Sequence, residues 1–315
     1  ALVPCHEEAR AAESRDVRRR HVVILRRAAV TFILNVITPR FALQISDRRL
    51  TWATDPPTVK EDDQNKAVLV EGRVALGYTG LATVDGSPTD QWLAKTISAV
   101  GSSDFAKICE ALRAEATSAF LKVPVDARLR RHAFQGVGWL RLPDREQLTP
   151  AILTVSNALD GAGDWLAEAR PAFETSVTLS DKLKDGFLVN HVGVTPTPSE
   201  RKEIWRLLRR CARRDASAGT YMRAMVLGVR GLARRYPMIG RGLLGISIPR
   251  VAVEETSTTG RVIAVFGGTD TCRSFLYFPF AGEGGVQHGP HLVMRGSLVM
   301  NPTVEYLQKG SGGRE

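Results

Sequence analysis

The sequence predicts an α+β protein with layered packing, and three observations lead to this class. Four runs rich in β-branched and apolar residues come first, two amphipathic helical patterns follow, and further strands and helices then occur in blocks. Elements grouped in blocks are typical of α+β folds, whereas regular strand–helix alternation is typical of a doubly wound parallel sheet. The 315 residues suffice for two domains or for one large one.

The first four strands form two predicted hairpins. Thr38-Pro39-Arg40 supplies the turn of the first hairpin, and Glu71-Gly72 supplies the turn of the second. Asp55-Pro56-Pro57 marks a loop between them, and a polar, acidic stretch follows that loop. The predicted strands cover residues 30–37, 41–45, 67–70 and 73–78.

Two helices are predicted next. Ser87-Pro88-Thr89-Asp90 combines a serine N-cap, a proline at the first helical position and an aspartate in the first turn. This helix is expected to end near Val100, and a second helix is expected between Asp104 and Leu121. The predicted inward-facing residues, which recur at helical spacing, are Trp92, Leu93, Ile97 and Val100 in the first helix and Phe105, Ile108, Leu112 and Ala119 in the second.

The rest of the chain again shows strands, then helices, then strands. The sequence predicts strands over residues 132–140 and 151–155, helices over residues 199–213 and 221–235, and strands over residues 243–248, 262–266 and 274–280. No internal repeat is visible, and the glycine-rich residues 310–315 are expected to form a flexible tail.

The composition is that of a soluble globular protein, with 43% apolar and 24% charged residues. The longest apolar stretch, residues 28–37, has about half the length of a membrane span, so no membrane association is expected. The four cysteines lie far apart without a C-x-x-C pair, which indicates reduced thiols of a cytoplasmic protein. We expect neither a metal nor a cofactor. The net charge of +10 permits anionic partners but does not indicate them.

Residues 1–30 differ from the rest of the chain. They contain seven arginines, no lysine and no continuous apolar segment of the kind that a secretory signal needs. Three interpretations fit this composition: a disordered basic extension, a segment that is not part of the mature protein, and a targeting or nucleic-acid-binding arm. The first two are favoured, and the folded region is expected to begin at Thr31.

A group of residues at fixed spacing begins at that point. Thr31 opens the first strand, and Asp47 follows sixteen residues later. Lys66 opens the third strand, and Gly80 lies fourteen residues beyond it, at the end of the fourth strand. With these intervals, residues 31–123 resemble the opening of the proteasome β-type N-terminal-nucleophile hydrolases.

The resemblance implies a four-layer αββα sandwich over residues 31–309, with an extended C-terminal half. It also implies a threonine-type peptidase or amidohydrolase acting on a peptide or small amide substrate. Asp47, Arg49 and Thr51 form the Asp-x-Arg-x-Thr pattern of that family, which gives Arg49 and Thr51 supporting roles. Members of the family often form rings, which makes a homo-oligomer a possible state; the alternative is that the long C-terminal half blocks or replaces that packing.

The chemistry that the resemblance implies requires Thr31 to be the first residue, so that its α-amine serves as the base for its own hydroxyl. The Lys66 ammonium would lower the pKa of that amine, because a second positive charge nearby is unfavourable. Asp47 would hold Lys66, with Arg49 helping to fix the ion pair. Lys66 is therefore expected within hydrogen-bonding reach of both Asp47 and Thr31. The backbone N–H of Gly80 would donate to the oxyanion.

Each of these residues also has a purely structural interpretation. Thr31 suits a strand, Asp47 suits a polar hairpin end, Lys66 suits a solvated strand entrance, and Gly80 permits a bend. The family's later serine and aspartate have no clear counterparts around residues 237–240. A non-catalytic fold that serves as a binding or assembly module is therefore the alternative.

Three other patterns carry weaker functional signals. The basic residues of the segment 201–214 suit an RNA-binding helix, but a solvated helix face is favoured and nucleic acid is not an expected partner. His288 and His291 suit a metal site, but without adjacent carboxylates a surface loop is favoured. The glycines of the segment 267–270 lack the Gly-Lys-Ser/Thr of a phosphate loop.

Overall fold

The structure is a computed structural model, which describes residues 28–29, 31–52, 58–142, 146–160, 163–179, 183, 186–259, 264–266, 270–278, 286–294, 296–300 and 303–305. Most of the expected basic extension and all of the expected tail at residues 310–315 lie outside the described residues.

Five helices occur in the described part of the chain. They are α1 (Thr89–Ala99), α2 (Phe105–Leu121), α3 (Pro198–Arg213), α4 (Ala218–Ala233) and α5 (Arg250–Thr259). None of these helices is long and apolar enough to cross a membrane. Side chains close three of the N-termini in the way the sequence favours: Asp104 caps α2, Ser217 caps α4, and Thr197 forms a capping box with Glu200 at α3.

The strands in chain order are β1 (Ala28–Ala29), β2 (Phe32–Ile37), β3 (Phe41–Asp47), β4 (Leu50–Trp52), β5 (Thr58–Glu61), β6 (Ala67–Val70), β7 (Val74–Leu81), β8 (Thr83–Val84), β9 (Ser87–Pro88), β10 (Ala133–Leu140), β11 (Thr149–Ser156), β12 (Glu174–Leu179), β13 (Leu188–Gly193), β14 (Leu243–Pro249), β15 (Ala264–Phe266), β16 (Arg273–Phe278), β17 (Val286–His288), β18 (His291–Met294), β19 (Ser297–Val299) and β20 (Thr303–Glu305).

Most of these strands belong to two large sheets. The first sheet has the order β12-β11-β10-β7-β6-β18-β19, with β1 paired to β7, and the second has the order β13-β2-β3-β14-β16-β15. Each predicted hairpin near the start of the chain lies in a different sheet: β2 pairs with β3 in the second sheet, and β6 pairs with β7 in the first.

The two sheets pack face to face between two helical layers. Apolar side chains that include Leu69, Val137 and Ile246 fill the space between the sheets. A cluster with Leu93 and Ile108 joins α1 and α2 to the first sheet, and a second cluster with Met225 joins α3 and α4 to the second sheet. Because amphipathic elements must bury one face each, this arrangement covers both sheets on both sides. The expected α+β fold with αββα layers is confirmed.

A strand from late in the chain completes the first sheet. β18 pairs in parallel with β6, and His291 lies opposite Val68. The side chain of Asn65 reinforces this junction by donating to the carbonyl of Gly289 at 3.3 Å. The C-terminal region therefore lies next to the strand that Lys66 opens.

The structure differs from the sequence prediction at the start of α1. Ser87 and Pro88 form the short strand β9, which pairs with β8 around a turn at Asp85 and Gly86, so Ser87 does not cap the helix. Thr89 begins the helix instead, and its hydroxyl donates to the carbonyl of Leu81 at 2.7 Å. This bond ties the helix start to the end of β7.

Candidate active site

The β2–β3 hairpin brings Thr31 and Asp47 together. Thr31 directly precedes β2, Asp47 ends β3, and both are fully buried. The Asp47 carboxylate accepts a hydrogen bond from the backbone N–H of Phe32 at 2.6 Å, through its Oδ2 atom. Asp47 thus contacts the peptide group that follows Thr31.

Lys66 reaches the same carboxylate from the other sheet. Its Nζ lies 3.0 Å from Oδ1 of Asp47, and neither side chain is exposed to solvent. The ammonium also donates to the backbone carbonyl of Arg49. Burial lowers the pKa of Lys66, and the adjacent Asp47 carboxylate opposes that shift. The structure therefore contains the expected ion pair between Lys66 and Asp47.

Arg49 fixes this pair through its backbone rather than through its guanidinium. Its N–H donates to Oδ1 of Asp47 at 2.9 Å, while its carbonyl accepts from Lys66. The guanidinium instead forms a two-pronged bond with Asp62, at 2.6 and 2.9 Å, and also contacts the carbonyl of Pro237. Thr51 is buried in β4, opposite Val59.

The Thr31 hydroxyl has no hydrogen-bond partner among the described residues. The expected bond between Lys66 and Thr31 is therefore not formed, because the ammonium is directed to Asp47 and to the Arg49 carbonyl. The backbone nitrogen of Thr31 donates to the hydroxyl of Thr79 at 3.4 Å. Asp47 borders both Thr31 and Lys66 and is the group that connects them.

Gly80 occupies a position that favours glycine for two reasons. Its φ of +123° lies in a region that side-chain-bearing residues rarely adopt. A Cβ atom there would also lie 2.5 Å from Nδ1 of His132 and 2.6 Å from the carbonyl oxygen of Arg131. Along the edge of β7 at this point, Ala29 pairs with Gly80 and Ala28 with Leu81.

Three residues that contact this group were not predicted from the sequence. The backbone N–H of Gly240 donates to Oδ1 of Asp47 at 3.4 Å, from the turn before β14. Thr79 accepts from the Thr31 nitrogen, and Gly193 lies against the Thr31 carbonyl. The only sequence signal for them is the presence of glycine at two of these positions.

Gly193 leads to the first prediction. A Cβ atom at this position would lie 1.6 Å from the carbonyl oxygen of Thr31, and the φ of Gly193 is +108°. Gly193→Ala is therefore expected to reduce the free energy of unfolding by about 3 kcal/mol or more, because the backbone beside Thr31 must move. Urea unfolding measures this change. The exposed helical Gly231, which has open space around it, supplies the control: Gly231→Ala is expected to be neutral or stabilising. Equal effects of the two substitutions would contradict the prediction.

His132 leads to the second prediction. It is fully buried, and this burial lowers the pKa of its imidazole to about 3, well below the value of about 6.5 in an unfolded chain. Between these values the unfolded chain binds a proton that the folded protein does not, so stability is lost as the pH falls below 6.5. We expect the contribution of His132 to the free energy of unfolding to decrease by about 2 kcal/mol from pH 7 to pH 5.

Urea unfolding of the wild type and of His132→Asn at both pH values measures that contribution, since other titrating groups are common to the two proteins. The difference in unfolding free energy between them should become smaller, or change sign, as the pH falls. A difference that does not depend on pH would contradict the assignment of a neutral, buried imidazole.

His291 corrects an expectation from the sequence. Instead of lying in a surface loop, it is fully buried in β18, and its Nε2 lies 2.8 Å from Oδ2 of Asp90. Asp90 belongs to α1, so this contact attaches the late strand β18 to the first helix. In the described part of the chain, no group of three His, Cys, Asp or Glu residues could hold a metal ion.

The basic residues of α3 lie on the outside of the helical layer. Lys202, Arg206 and Arg213 are exposed. Trp205 is partly buried, with the Phe187 ring at 4.7 Å and the Arg209 guanidinium at 5.3 Å from its ring centroid. The exposed basic side chains are consistent with a solvated helix face, the interpretation that the sequence favours. That this face binds no nucleic acid stays a prediction.

These features define an α+β protein of four layers, with a buried Asp–Lys pair next to a threonine at the first strand of a sheet. Among solved structures, the chain is similar to the Anbu (Gly-1) mutant from Hyphomicrobium sp. strain MC1, with 14% identity and a TM-score of 0.39. The alignment covers 69% of this chain and 80% of that chain. No family model and no curated protein matches the sequence.

Proposed function

We propose that this protein is an N-terminal-nucleophile hydrolase that cleaves peptide or small amide bonds with Thr31 as the nucleophile. The observation that carries the proposal is the buried Asp47 carboxylate, which bonds the Lys66 ammonium and the peptide group directly after Thr31. A buried ion pair is not by itself a source of stability. Its position beside a threonine whose hydroxyl has no partner among the residues that the structure describes therefore favours a functional role.

The proposed reaction requires that Thr31 is the first residue of the chain and that its α-amine is neutral. The amine accepts the hydroxyl proton while the Thr31 oxygen attacks the substrate carbonyl carbon. The oxyanion that forms accepts a hydrogen bond from the Gly80 N–H, and the leaving amine then takes the proton from the α-ammonium. Water hydrolyses the resulting threonyl ester, with the α-amine again acting as the base. Lys66 favours the neutral amine in both steps by its charge.

The pairing of β1 supports a peptide-like substrate. Ala28 and Ala29 form an antiparallel pair with the edge of β7 at Leu81 and Gly80. An extended chain segment thus adds to the sheet at the residue proposed to bind the oxyanion. Recognition by strand addition gives affinity through backbone hydrogen bonds, which a peptide substrate supplies.

Intact-mass spectrometry of the native protein tests the proposal. A mature chain that begins at Thr31, and that gains the mass of an acyl group after brief exposure to a reactive peptide ester, is the expected result. A native chain that retains Val30 would contradict the proposal, because the nitrogen of Thr31 is then an amide and cannot act as a base.

A non-catalytic binding or assembly module is the second candidate. The observation that favours it is the missing hydrogen bond between Lys66 and the Thr31 hydroxyl: among the described residues, the Lys66 ammonium bonds only Asp47 and the Arg49 carbonyl. A mature chain that begins at Thr31 but that never forms an acyl adduct would support this candidate.

A further inference from the structure

At the end of β10, the side chain of His132 takes the place of a backbone hydrogen-bond acceptor for β7. The backbone pairing of β10 with β7 runs from Gly138 opposite Val74 to Ala133 opposite Thr79. Leu81 lies two residues beyond Thr79, where β10 no longer provides a carbonyl. Its backbone N–H donates instead to Nδ1 of His132 at 3.1 Å.

This bond holds the peptide group that follows Gly80, and the strand ladder shows which way the N–H of Gly80 itself points. In an antiparallel sheet, successive residues direct their N–H groups to opposite edges of the strand. The carbonyl of Arg73 accepts from Trp139 in β10, and Thr79, six residues later on β7, lies opposite Ala133, so the Thr79 carbonyl also faces β10. The Thr79 carbonyl and the Gly80 N–H belong to one trans peptide, so the Gly80 N–H points to the other edge, where Ala29 pairs. That edge is the one at which a substrate strand would add.

We propose that His132 is a positioning residue: it accepts a hydrogen bond from the Leu81 amide and thereby holds the Gly80 N–H toward the β7 edge at which a substrate strand would add. The inference deepens the proposed function and rests on it, since it assigns the residue that orients the oxyanion donor. His132 acts through the backbone and touches no reacting atom.

The packing around His132 supports this role. The Phe120 and Phe134 rings lie 4.6 and 4.5 Å from the imidazole, measured between centroids, and Tyr78 stacks on it at 5.8 Å. In this apolar cage the imidazole is neutral, and since Nδ1 accepts, its proton resides on Nε2.

Nε2 has no hydrogen-bond partner among the described residues. A buried unpaired polar atom is destabilising, so a phenylalanine would suit the cage better than a histidine does. The acceptor atom Nδ1 is therefore the feature that distinguishes histidine from an aromatic residue at this position.

Kinetics of variants in the chain that begins at Thr31 test the proposal. His132→Phe keeps a ring but removes the acceptor, and we expect kcat to fall about 10- to 100-fold with KM nearly unchanged. His132→Asn places Oδ1 on the same Cγ atom that carries Nδ1, so it should restore most of kcat. Phe173→Leu loosens the same aromatic cluster but keeps the acceptor, and it should leave kcat close to the wild-type value.

Amide NMR and hydrogen exchange provide a readout that does not depend on hydrolysis. In His132→Phe the Leu81 amide should exchange faster and the Gly80 amide signal should shift, whereas His132→Asn should resemble the wild type. An unshifted Gly80 signal in His132→Phe, or an active His132→Phe with wild-type kcat, would overturn the proposal. If the wild type hydrolyses no peptide amide, the proposed function fails, and the Gly80 signal still decides whether His132 orients this amide.

Discussion

A chain that begins at Thr31 should hydrolyse peptide amides, and the same chain preceded by Val30 should be slower by about 10³-fold or more. The loss follows from one covalent change: with Val30 attached, the base that activates the Thr31 hydroxyl becomes an amide nitrogen. General base catalysis alone typically contributes 10²- to 10⁴-fold. In addition, a retained segment keeps Ala28 and Ala29 on the β7 edge that a substrate strand would use.

Initial rates on a set of fluorogenic peptide amides measure this difference. Thr31→Ala, also presented as the first residue, should show no turnover, whereas Thr31→Ser retains a hydroxyl beside an α-amine and should keep part of the activity. Circular dichroism of all four chains controls for folding. Equal activity of the Thr31 and Thr31→Ala chains would eliminate threonine catalysis.

Substitution of the two members of the buried ion pair should have unequal effects. Asp47→Ala leaves the buried Lys66 ammonium with the Arg49 carbonyl as its one partner in the described part of the chain, and it also removes the acceptor of the Phe32 amide. We expect it to reduce the free energy of unfolding by about 3–5 kcal/mol. Lys66→Met fills a similar volume and leaves the Asp47 carboxylate with three backbone N–H donors, so the loss should be about 1–3 kcal/mol.

Lys66→Met should therefore remain folded and yet lose activity, because nothing then lowers the pKa of the Thr31 amine. Urea unfolding gives the stability of both variants, and the fluorogenic assay gives the activity of those that fold. Arg113→Ala, which breaks the exposed pair with Glu110, is the control that should change neither quantity. A fully active Lys66→Met would remove the lysine from the mechanism.

The parts of the fold that local patterns specify could be predicted from the sequence. The hairpins at residues 32–47 and 67–81 have strong apolar strand patterns with turn residues between them, and the structure contains both. β12 was not predicted, because all six of its residues are exposed and it has no apolar face to produce a pattern. The capping signal predicts too early a start for α1, because Ser87 and Pro88 instead pair with β8.

The candidate site likewise contains contacts that could be predicted from the sequence and contacts that could not. The contact between Asp47 and Lys66 was expected from the family resemblance, which rests on the spacing of residues that end or open strands in the two hairpins. Gly240 and His132 reach the site from positions 193 and 51 residues away from their partners, Asp47 and Leu81. Such contacts depend on how distant strands pair, and periodicity in one segment does not encode that pairing.

The placement of β18 beside β6 has a consequence for how the protein is made. A ribosome releases β6 and Lys66 well before β18, the parallel partner of β6, which emerges more than two hundred residues later. Until then that side of the sheet has no neighbour, and Asp90 lacks the imidazole of His291. The first sheet therefore gains this strand only after β18 has been made, which would delay any hydrolytic activity until that strand has emerged.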